Sequence, residues 1–240
     1  MTIIDPSAVQ NYLLRKLPIE AFHFLSPVMK IVDLPLKRVL VETNQPNSHV
    51  FFIEQGLASV VASTGDDESI EVGHVGYEGV SGAHIVLRAD RTPNRTFMQV
   101  EGIGVSVPVV ELEQMFERFN MARELFLKYV HTAELQLAHS ALANARYNMQ
   151  ERLARWLLMC HDRLRVNDLA LTHEFLALML GVRRSGVTNE IHVLEGMHAI
   201  KATRGNIRIV DRSRLEEIAG GCYGVPEREY ERLIGNPFLR

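Results

Sequence analysis

Short apolar runs alternate with turn-forming residues between positions 31 and 107. Val39–Val41, Val50–Ile53 and Leu57–Ala62 are three such runs, and each leads into a group that contains Asn, Gly, Ser or Asp. Further strands are predicted at 69–72, 96–100 and 104–107. Many short strands at this spacing are typical of a small antiparallel barrel or roll. The first 108 residues are therefore predicted to form an antiparallel β-roll.

The pattern changes to that of helices after this region. Residues 109–165 contain neither glycine nor proline and are rich in Ala, Leu, Glu and Arg, which are good helix formers. Apolar residues recur there at steps of three or four, the period of an amphipathic helix. We predict one long helix over 109–147, a break near 144–148 and a further helix around 149–163.

The long helix carries two stripes of side chains, and a helix with two partly apolar faces needs two partners. The first stripe is assigned to packing against the roll and comprises Ala122, Phe126, Val130, Ala133, Leu137 and Ala141. The second, more mixed stripe is assigned to a second copy of the helix and comprises Leu125, Tyr129, Thr132, Leu135, His139 and Leu142. An ordinary bundle helix is the alternative that the pattern leaves open.

Residues 171–194 have the spacing of a helix-turn-helix. Thr172 suits the N-cap of a first helix, and Ala177 is small enough for a second helix to cross closely. Gly181 falls where the chain must turn sharply, at a position that favours positive φ. The buried side of the second helix is predicted to comprise Val182, Val187, Ile191 and Leu194. In a helix-turn-helix this second helix enters the DNA major groove.

Polar side chains cluster at the start of that second helix, where base edges would be met. Arg can bond guanine bidentately, Asn can do so with adenine, and hydroxyls contact phosphates or several bases. The predicted base-contacting residues are Arg183, Arg184, Ser185, Thr188 and Asn189. A helical hairpin with a solvated charged face is the alternative.

A basic hairpin follows the helix-turn-helix. Residues 199–202 and 207–210 are predicted strands, and the tight turn between them is 203–206. Lys201 and Arg204, together with Thr172, are the predicted phosphate contacts. A helix-turn-helix followed by such a hairpin is a winged DNA-binding domain, so the overall fold class is predicted to be α+β.

Composition narrows the class of protein. The 240 residues are 47% hydrophobic and 23% charged, with a formal net charge of -3, which fits a globular protein rather than a disordered one. The charge is uneven: residues 163–214 carry nine Lys and Arg against five Asp and Glu, as expected of an anion-binding module. Apolar stretches are too short for a membrane span, and residues 1–10 lack a secretory layout. A cytoplasmic protein is expected.

The order of these parts resembles the cyclic-AMP receptor protein and fumarate-nitrate regulator (Crp/Fnr) superfamily of bacterial transcription factors. The resemblance implies three regions: a sensor roll at 1–108, a dimerisation helix at 109–147 and a winged DNA-binding domain with a tail at 148–240. It also implies a homodimer on a pseudo-palindromic DNA site, with RNA polymerase as a further candidate partner. Ser185 and Asn189 replace the Glu and the second Arg that read bases in the family, so a different operator is expected.

The resemblance also bears on the effector. Members that bind cyclic nucleotides carry a Gly-Glu pair and then Arg-Ser or Arg-Thr. Here Glu78 precedes its glycine and Val80 occupies the expected Glu position, whereas Arg95-Thr96 fits. We therefore do not expect a cyclic nucleotide, although a small anionic effector near Arg95 stays open. The candidate pocket comprises Gly79, Val80, Ser81, Arg95 and Thr96.

Other cofactors are not expected. No cysteine precedes Cys160, so the thiolates of an N-terminal iron–sulfur cluster are missing. Haem would need an axial ligand, for which the candidates are His49, His74 and His84, and no close pairing of these residues indicates a metal site. Cys160 lies in an apolar helix segment and is expected to be inert, whereas the position of Cys222, between glycines and a tyrosine, leaves open an exposed thiol with a redox role, which is the less favoured alternative.

The sequence therefore predicts a dimeric, sequence-specific DNA-binding regulator without catalytic activity. The alternative is a small-molecule-binding module whose C-terminal domain docks protein rather than DNA. A cupin-like enzyme is the least favoured class, because no nucleophile–base pair is evident.

Overall fold

The computed structural model describes residues 4–64 and 69–238. The N-terminal part is an antiparallel roll of two sheets, as predicted. One sheet has the order β1-β7-β3 and the other has the order β2-β6-β4-β5. Their strands are β1 (Lys30–Leu34), β2 (Val39–Val41), β3 (His49–Ile53), β4 (Leu57–Ser63), β5 (Ser69–Val75), β6 (Arg95–Val100) and β7 (Gly102–Pro108).

Short helices close one end of the roll. A 3-10 turn at Pro6–Ala8 precedes α1 (Tyr12–Arg15) and α2 (Ile19–Leu25), and α3 (Ala83–Val86) follows β5. Their apolar residues share one core with the inner face of β3 and β7 and with the next two helices. That core is what fixes the long helix on the roll.

The predicted single helix over 109–147 is wrong at one point, because it is divided into α4 (Val109–Arg118) and α5 (Asn120–Arg146). Phe119 lies between them with an extended backbone, φ -124° and ψ 90°. Its ring packs against Phe24 of α2 with ring centroids 5.8 Å apart. The chain therefore bends where the Phe119 ring packs on α2, and helix propensity alone does not predict this bend.

The two stripes of α5 are also rotated from the prediction. Tyr129 and Thr132, which we predicted to face a second copy, are buried in their own chain. The Tyr129 hydroxyl donates to the Val80 carbonyl at 3.1 Å and accepts from the Val80 amide at 3.2 Å. Leu137, predicted to pack on the roll, lies beside Gly73 of β5 and lines the space between α5 and the roll, although it is 38% exposed. The face of α5 that contacts the roll therefore includes Tyr129 and Thr132, which the periodicity alone assigns to the other face.

The remaining predicted positions of α5 divide between these faces. Ala122 and Phe126 are buried as expected, and Val130 and Ala133 are partly buried. Leu125, Leu135 and His139 are also partly buried, whereas Ala141 and Leu142 are exposed. The exposed face of α5 that carries Leu127, Ala138, Ala141, Leu142 and Ala145, together with the charged pair His131 and Glu134, is here called the open face.

The break predicted near 144–148 is present. The next helix, α6 (Met149–Leu164), begins with a capping box in which Asn148 accepts from the Glu151 amide and Glu151 accepts from the Asn148 amide. Such reciprocal bonds satisfy two free amides at a helix start. The new helix therefore has its own start signal and packs mainly with the C-terminal domain.

The C-terminal domain is a winged helix-turn-helix, as predicted. Its elements are β8 (Asp168–Leu169), α7 (His173–Leu180), α8 (Arg184–Gly196), β9 (Ile200–Thr203), β10 (Asn206–Ile209), α9 (Arg212–Ala219) and, after a 3-10 turn at Gly220–Cys222, α10 (Val225–Leu233). The three strands form an antiparallel sheet of order β8-β10-β9. Within the described residues, no helix is long and apolar enough to span a membrane.

Candidate nucleic-acid interface and roll cavity

The turn between α7 and α8 has the geometry that the sequence predicts. Thr172 caps α7 by accepting from the Phe175 amide at 3.2 Å. Gly181 has φ +63° and ψ 40°, the left-handed conformation that glycine adopts without a steric penalty. The Val182 amide then donates to the Ala177 carbonyl at 3.0 Å. These local contacts fix the angle at which the second helix leaves the first.

The second helix separates apolar and polar residues onto opposite sides. Val187, Ile191 and Leu194 are fully buried in the domain core. The predicted base-contacting residues Arg183, Arg184, Ser185 and Asn189 are not buried and lie at the start and in the first half of the helix. Four side chains that can hydrogen-bond to bases are thus brought together on one accessible surface.

Thr188, the fifth predicted base contact, has a different environment. It is partly buried, and its hydroxyl donates to the Arg184 carbonyl at 3.1 Å. His173 Nδ1 lies 3.1 Å from the same hydroxyl, so the side chain joins α7 to α8. Partial burial, followed by the charge of Arg184, lowers the pKa of His173. The sequence gives no signal for the contact between His173 and Thr188, because the pattern does not predict how α7 and α8 are rotated relative to one another.

The residues that are predicted to contact DNA phosphates are exposed to solvent. Lys201 and Arg204 are exposed, and the hairpin turns at Gly205 with φ +75°. Thr172 is also exposed, although its hydroxyl already caps α7. Arg208 adds a further exposed cation, 3.8 Å from Asp168. The wing therefore presents a basic edge beside the polar face of α8.

A cavity of about 500 Å³ lies between the roll, α5, Arg163 of α6 and the C-terminal tail. Val80 and Thr96 line it, as predicted, but Gly79, Ser81 and Arg95 do not. Arg95 points to solvent and lies 3.5 Å from Glu42, because successive side chains of a strand project to opposite faces. The prediction that Arg95 serves this pocket is therefore wrong.

The other two excluded residues have structural roles. The Ser81 hydroxyl accepts from the Phe51 amide at 2.9 Å. Gly79 lies against the Tyr129 ring, and a Cβ at this position would be 2.7 Å from ring carbons. Gly79 therefore allows α5 to approach the roll closely.

Glu78 is an ion-pair partner rather than a free acceptor. Its carboxylate lies 2.8 Å from Arg163 Nε, and both side chains are only 3% exposed. It also accepts from the Gly76 amide at 3.2 and 3.1 Å. Burial acts to lower the pKa of Arg163, but Glu78 and neighbouring carboxylates outweigh it and raise that pKa. A roll residue is thus joined to the helix that begins the winged helix-turn-helix domain.

A second polar contact joins the same two regions. Trp156 Nε1 of α6 donates to Glu71 Oε1 of β5 at 2.6 Å, and His74 Nε2 lies 2.6 Å from that oxygen.

The other two histidines considered as metal or haem ligands lie in different places. His84 lines the cavity, and burial lowers its pKa. His49 contacts the Ser48 hydroxyl at 3.0 Å. The part of the chain that the structure describes holds no group of three metal-ligating side chains.

Both cysteines are buried. Burial raises the pKa of Cys160 well above its ordinary value, which agrees with the predicted inert thiol. Cys222 is only 3% exposed, and burial raises its pKa as well. The exposed thiol that the sequence left open at Cys222 is therefore not found, because the 3-10 turn folds its side chain inward near Arg152 and Arg155.

Comparison with known proteins agrees with this architecture. Residues 151–218 match the model of the Crp-like helix-turn-helix domain. FixK2 from Bradyrhizobium japonicum is similar in structure, with a TM-score of 0.68, 14% identity, and coverage of 81% of this chain and 98% of FixK2. A CRP-family transcriptional regulator from Thermus thermophilus has a TM-score of 0.64 at 16% identity, with coverage of 79% and 97%.

The c-di-GMP-responsive global regulator CLP from Xanthomonas campestris is also similar, with a TM-score of 0.63 at 13% identity and coverage of 80% and 99%. No curated protein matches the chain. Residues 151–218 thus match the Crp-like helix-turn-helix domain, and the chain has the fold that is seen in Crp/Fnr-family transcriptional regulators.

Proposed function

We propose that the chain is a homodimeric transcriptional regulator that reads a pseudo-palindromic DNA site. One observation carries the proposal: the start of α8 leaves Arg183, Arg184, Ser185 and Asn189 accessible while the opposite side of the helix is buried. A recognition helix needs this arrangement, because only its accessible N-terminal residues reach base edges in the major groove.

The four side chains divide into complementary roles. Arg184 is proposed to bond guanine bidentately and Asn189 to bond adenine, with Arg183 and Ser185 beside them. We propose that Thr188 acts indirectly, since its hydroxyl already contacts the Arg184 carbonyl and His173. Its contribution would be to hold the start of α8 at its angle to α7.

Phosphate contacts are proposed for the wing and for the start of α7. Lys201 and Arg204 are exposed cations that carry no sequence information of their own. Thr172 lies at a helix N-terminus, where amides and the helix dipole favour an anion. Together these residues would set the register of the domain on DNA.

Dimerisation is proposed to use the open face of α5. Leu127 and Leu142 are 40% and 43% exposed, and Ala138 and Ala141 lie between them, with the exposed His131–Glu134 pair on the same face. A partly apolar stripe of this kind on a long helix gains stability when it packs against a second helix. A two-fold axis along this face would present two copies of α8, as a pseudo-palindromic site requires.

The roll cavity is the proposed effector site, and its lining argues against an anion. Among the described lining residues, the guanidinium belongs to Arg163, which is already paired with Glu78. Glu134 and Glu227 also line the cavity. Since an anion is stabilised by an unpaired cation, we propose an uncharged effector and disfavour a cyclic nucleotide.

Docking of protein by the C-terminal domain is the less favoured function, because the wing and α8 together present cations suited to phosphates. We propose no catalytic activity, and RNA polymerase stays a predicted partner of the DNA-bound dimer.

In-vitro selection of bound duplexes from a random pool tests the proposal. The expected result is an inverted repeat whose half-sites are centred about 34–36 Å apart, one DNA turn. Recovery of unrelated sequences at every round would overturn it. A protein with Arg183 and Arg184 both changed to Ala is the control, and it should enrich no repeat.

A further inference from the structure

The tail that follows the wing returns to the N-terminal roll. After α9 and the 3-10 turn, α10 packs along α5. Pro226, Glu227, Tyr230 and Phe238 then form part of the wall of the roll cavity. We call residues 225–238 the strap. The DNA-binding domain therefore lies between two segments, α5 and the strap, that both contact the roll.

Tyr230 anchors the middle of the strap to the roll. Its side chain is only 3% exposed, and its hydroxyl donates to the Glu78 carbonyl at 2.6 Å. Its ring packs against Tyr12 and Phe238, with centroid distances of 6.3 and 5.3 Å. The strap is thus attached to the residue whose side chain pairs with Arg163.

Phe238 attaches the end of the strap to α6. The Arg163 guanidinium lies 5.5 Å from the centre of its ring, within the range of a cation–π contact. Gly235 allows the chain to turn back towards Tyr12 with φ +125°, and a Cβ there would collide with the Tyr12 hydroxyl. The end of the strap therefore covers the buried ion pair between Glu78 and Arg163.

The segment before the strap is held by a second polar cluster. The Tyr223 hydroxyl donates to Asp162 Oδ2 at 2.5 Å, and Arg212 lies 2.8 Å from Asp162 Oδ1. Burial raises the pKa of Asp162 to about 7, against the opposing effect of Arg212. The chain is therefore fixed on α6 just before the strap begins, and the strap is fixed on the roll at its centre.

We propose that the strap is a second tether that holds the DNA-binding domain against the roll and closes one side of the cavity. A domain that is held by two chain segments has less freedom to rotate against its neighbour than a domain that is held by one. The pairs Glu78–Arg163 and Glu71–Trp156 also join the roll to α6, so lifting the strap would loosen the contact between the roll and the domain, uncover the Glu78–Arg163 pair and open the cavity. The strap therefore couples the cavity to the position of α8. Only the effect of this coupling on DNA binding rests on the proposed function.

The test is a pair of substitutions in the full chain, Tyr230→Phe and Phe238→Ala, made singly and together. Arg232→Gln is the matched control, because Arg232 lies on the exposed side of α10 and pairs with Glu229. Hydrogen exchange is measured for residues 225–238, for the β5 segment 70–75 and for α7. Thermal unfolding shows which variants remain folded, and the milder Tyr230→Phe removes only a hydroxyl.

Loss of the Tyr230 hydroxyl should raise the rate of amide hydrogen exchange in the strap roughly tenfold, since one buried hydrogen bond is lost. Exchange of β5 and α7 should rise with it, and affinity for the selected DNA should change at least about threefold. Faster exchange confined to the strap would overturn the coupling, and unchanged exchange in Tyr230→Phe would overturn the tether. If the wild-type chain binds no DNA, the proposed function fails, but the exchange of β5 and α7 still decides the tether.

Discussion

The buried pair Glu78–Arg163 should be a main support of the contact between the roll and the DNA-binding domain. We consider Arg163→Met, which keeps much of the side-chain length and removes the charge. Both partners are 3% exposed, so water cannot solvate the carboxylate that is left behind. Breaking one side of a buried pair costs about 3–5 kcal/mol. The Gly76 amide, which is shared between the two carboxylate oxygens, remains as a donor, and this places the expected loss near the lower end, about 3 kcal/mol.

Urea unfolding at pH 7 measures this loss, followed both by circular dichroism and by the fluorescence of Trp156, which contacts the roll. Two probes are needed, because a chain of several regions can unfold in more than one step. The double variant Glu78→Gln with Arg163→Met should recover most of the loss, since no uncompensated charge is buried.

Arg88→Met is the matched control, because Arg88 is half-exposed and pairs with Glu113 and Glu117 at the surface. Its cost should stay below about 1 kcal/mol. The reasoning is refuted if Arg163→Met costs no more than Arg88→Met. It is also refuted if the double variant is less stable than Arg163→Met alone.

Three further changes probe other parts of the molecule. Leu142→Glu places a charge on the open face of α5 and should shift sedimentation from dimer towards monomer, whereas an unchanged dimer would exclude this face. His161→Gln tests a pH effect: burial lowers the pKa of His161, which accepts from Arg212 through Nδ1. A lowered folded pKa gives stability that is present above about pH 6.5 and is lost as the pH falls through the folded pKa. The wild type should therefore lose more unfolding free energy than the variant between about pH 7.5 and 5.5, and equal losses would contradict this reason. Lys201→Ala should weaken binding to all duplexes and reduce the slope of log affinity against log salt by about one, so an unchanged slope would remove Lys201 from the phosphate contacts.

The sequence predicts the helix-turn-helix well because its signals are local. The cap at Thr172, the small Ala177 and the left-handed Gly181 lie within one short segment, and each has a direct backbone consequence. The wing follows from the same kind of evidence, since Gly205 marks its turn.

The remaining features depend on contacts that no local pattern encodes. The period of α5 shows that it has faces, but only the shape of the roll turns Tyr129 inward. The pair Arg95-Thr96 matches a family motif, yet the alternation of β6 directs Arg95 away from the cavity. The strap joins Tyr230 to Glu78 across 152 positions, and such pairings cannot be read from spacing.

The specificity of Arg184→Ala tests the central claim most directly. Affinities for the selected site and for a random duplex are compared at one salt concentration. If Arg184 reads a base, affinity for the selected site should fall roughly 5- to 150-fold, which corresponds to about 1–3 kcal/mol, while affinity for the random duplex stays nearly constant. Equal losses on both duplexes, or no loss on the selected site, would contradict the assignment of α8 as the helix that reads DNA.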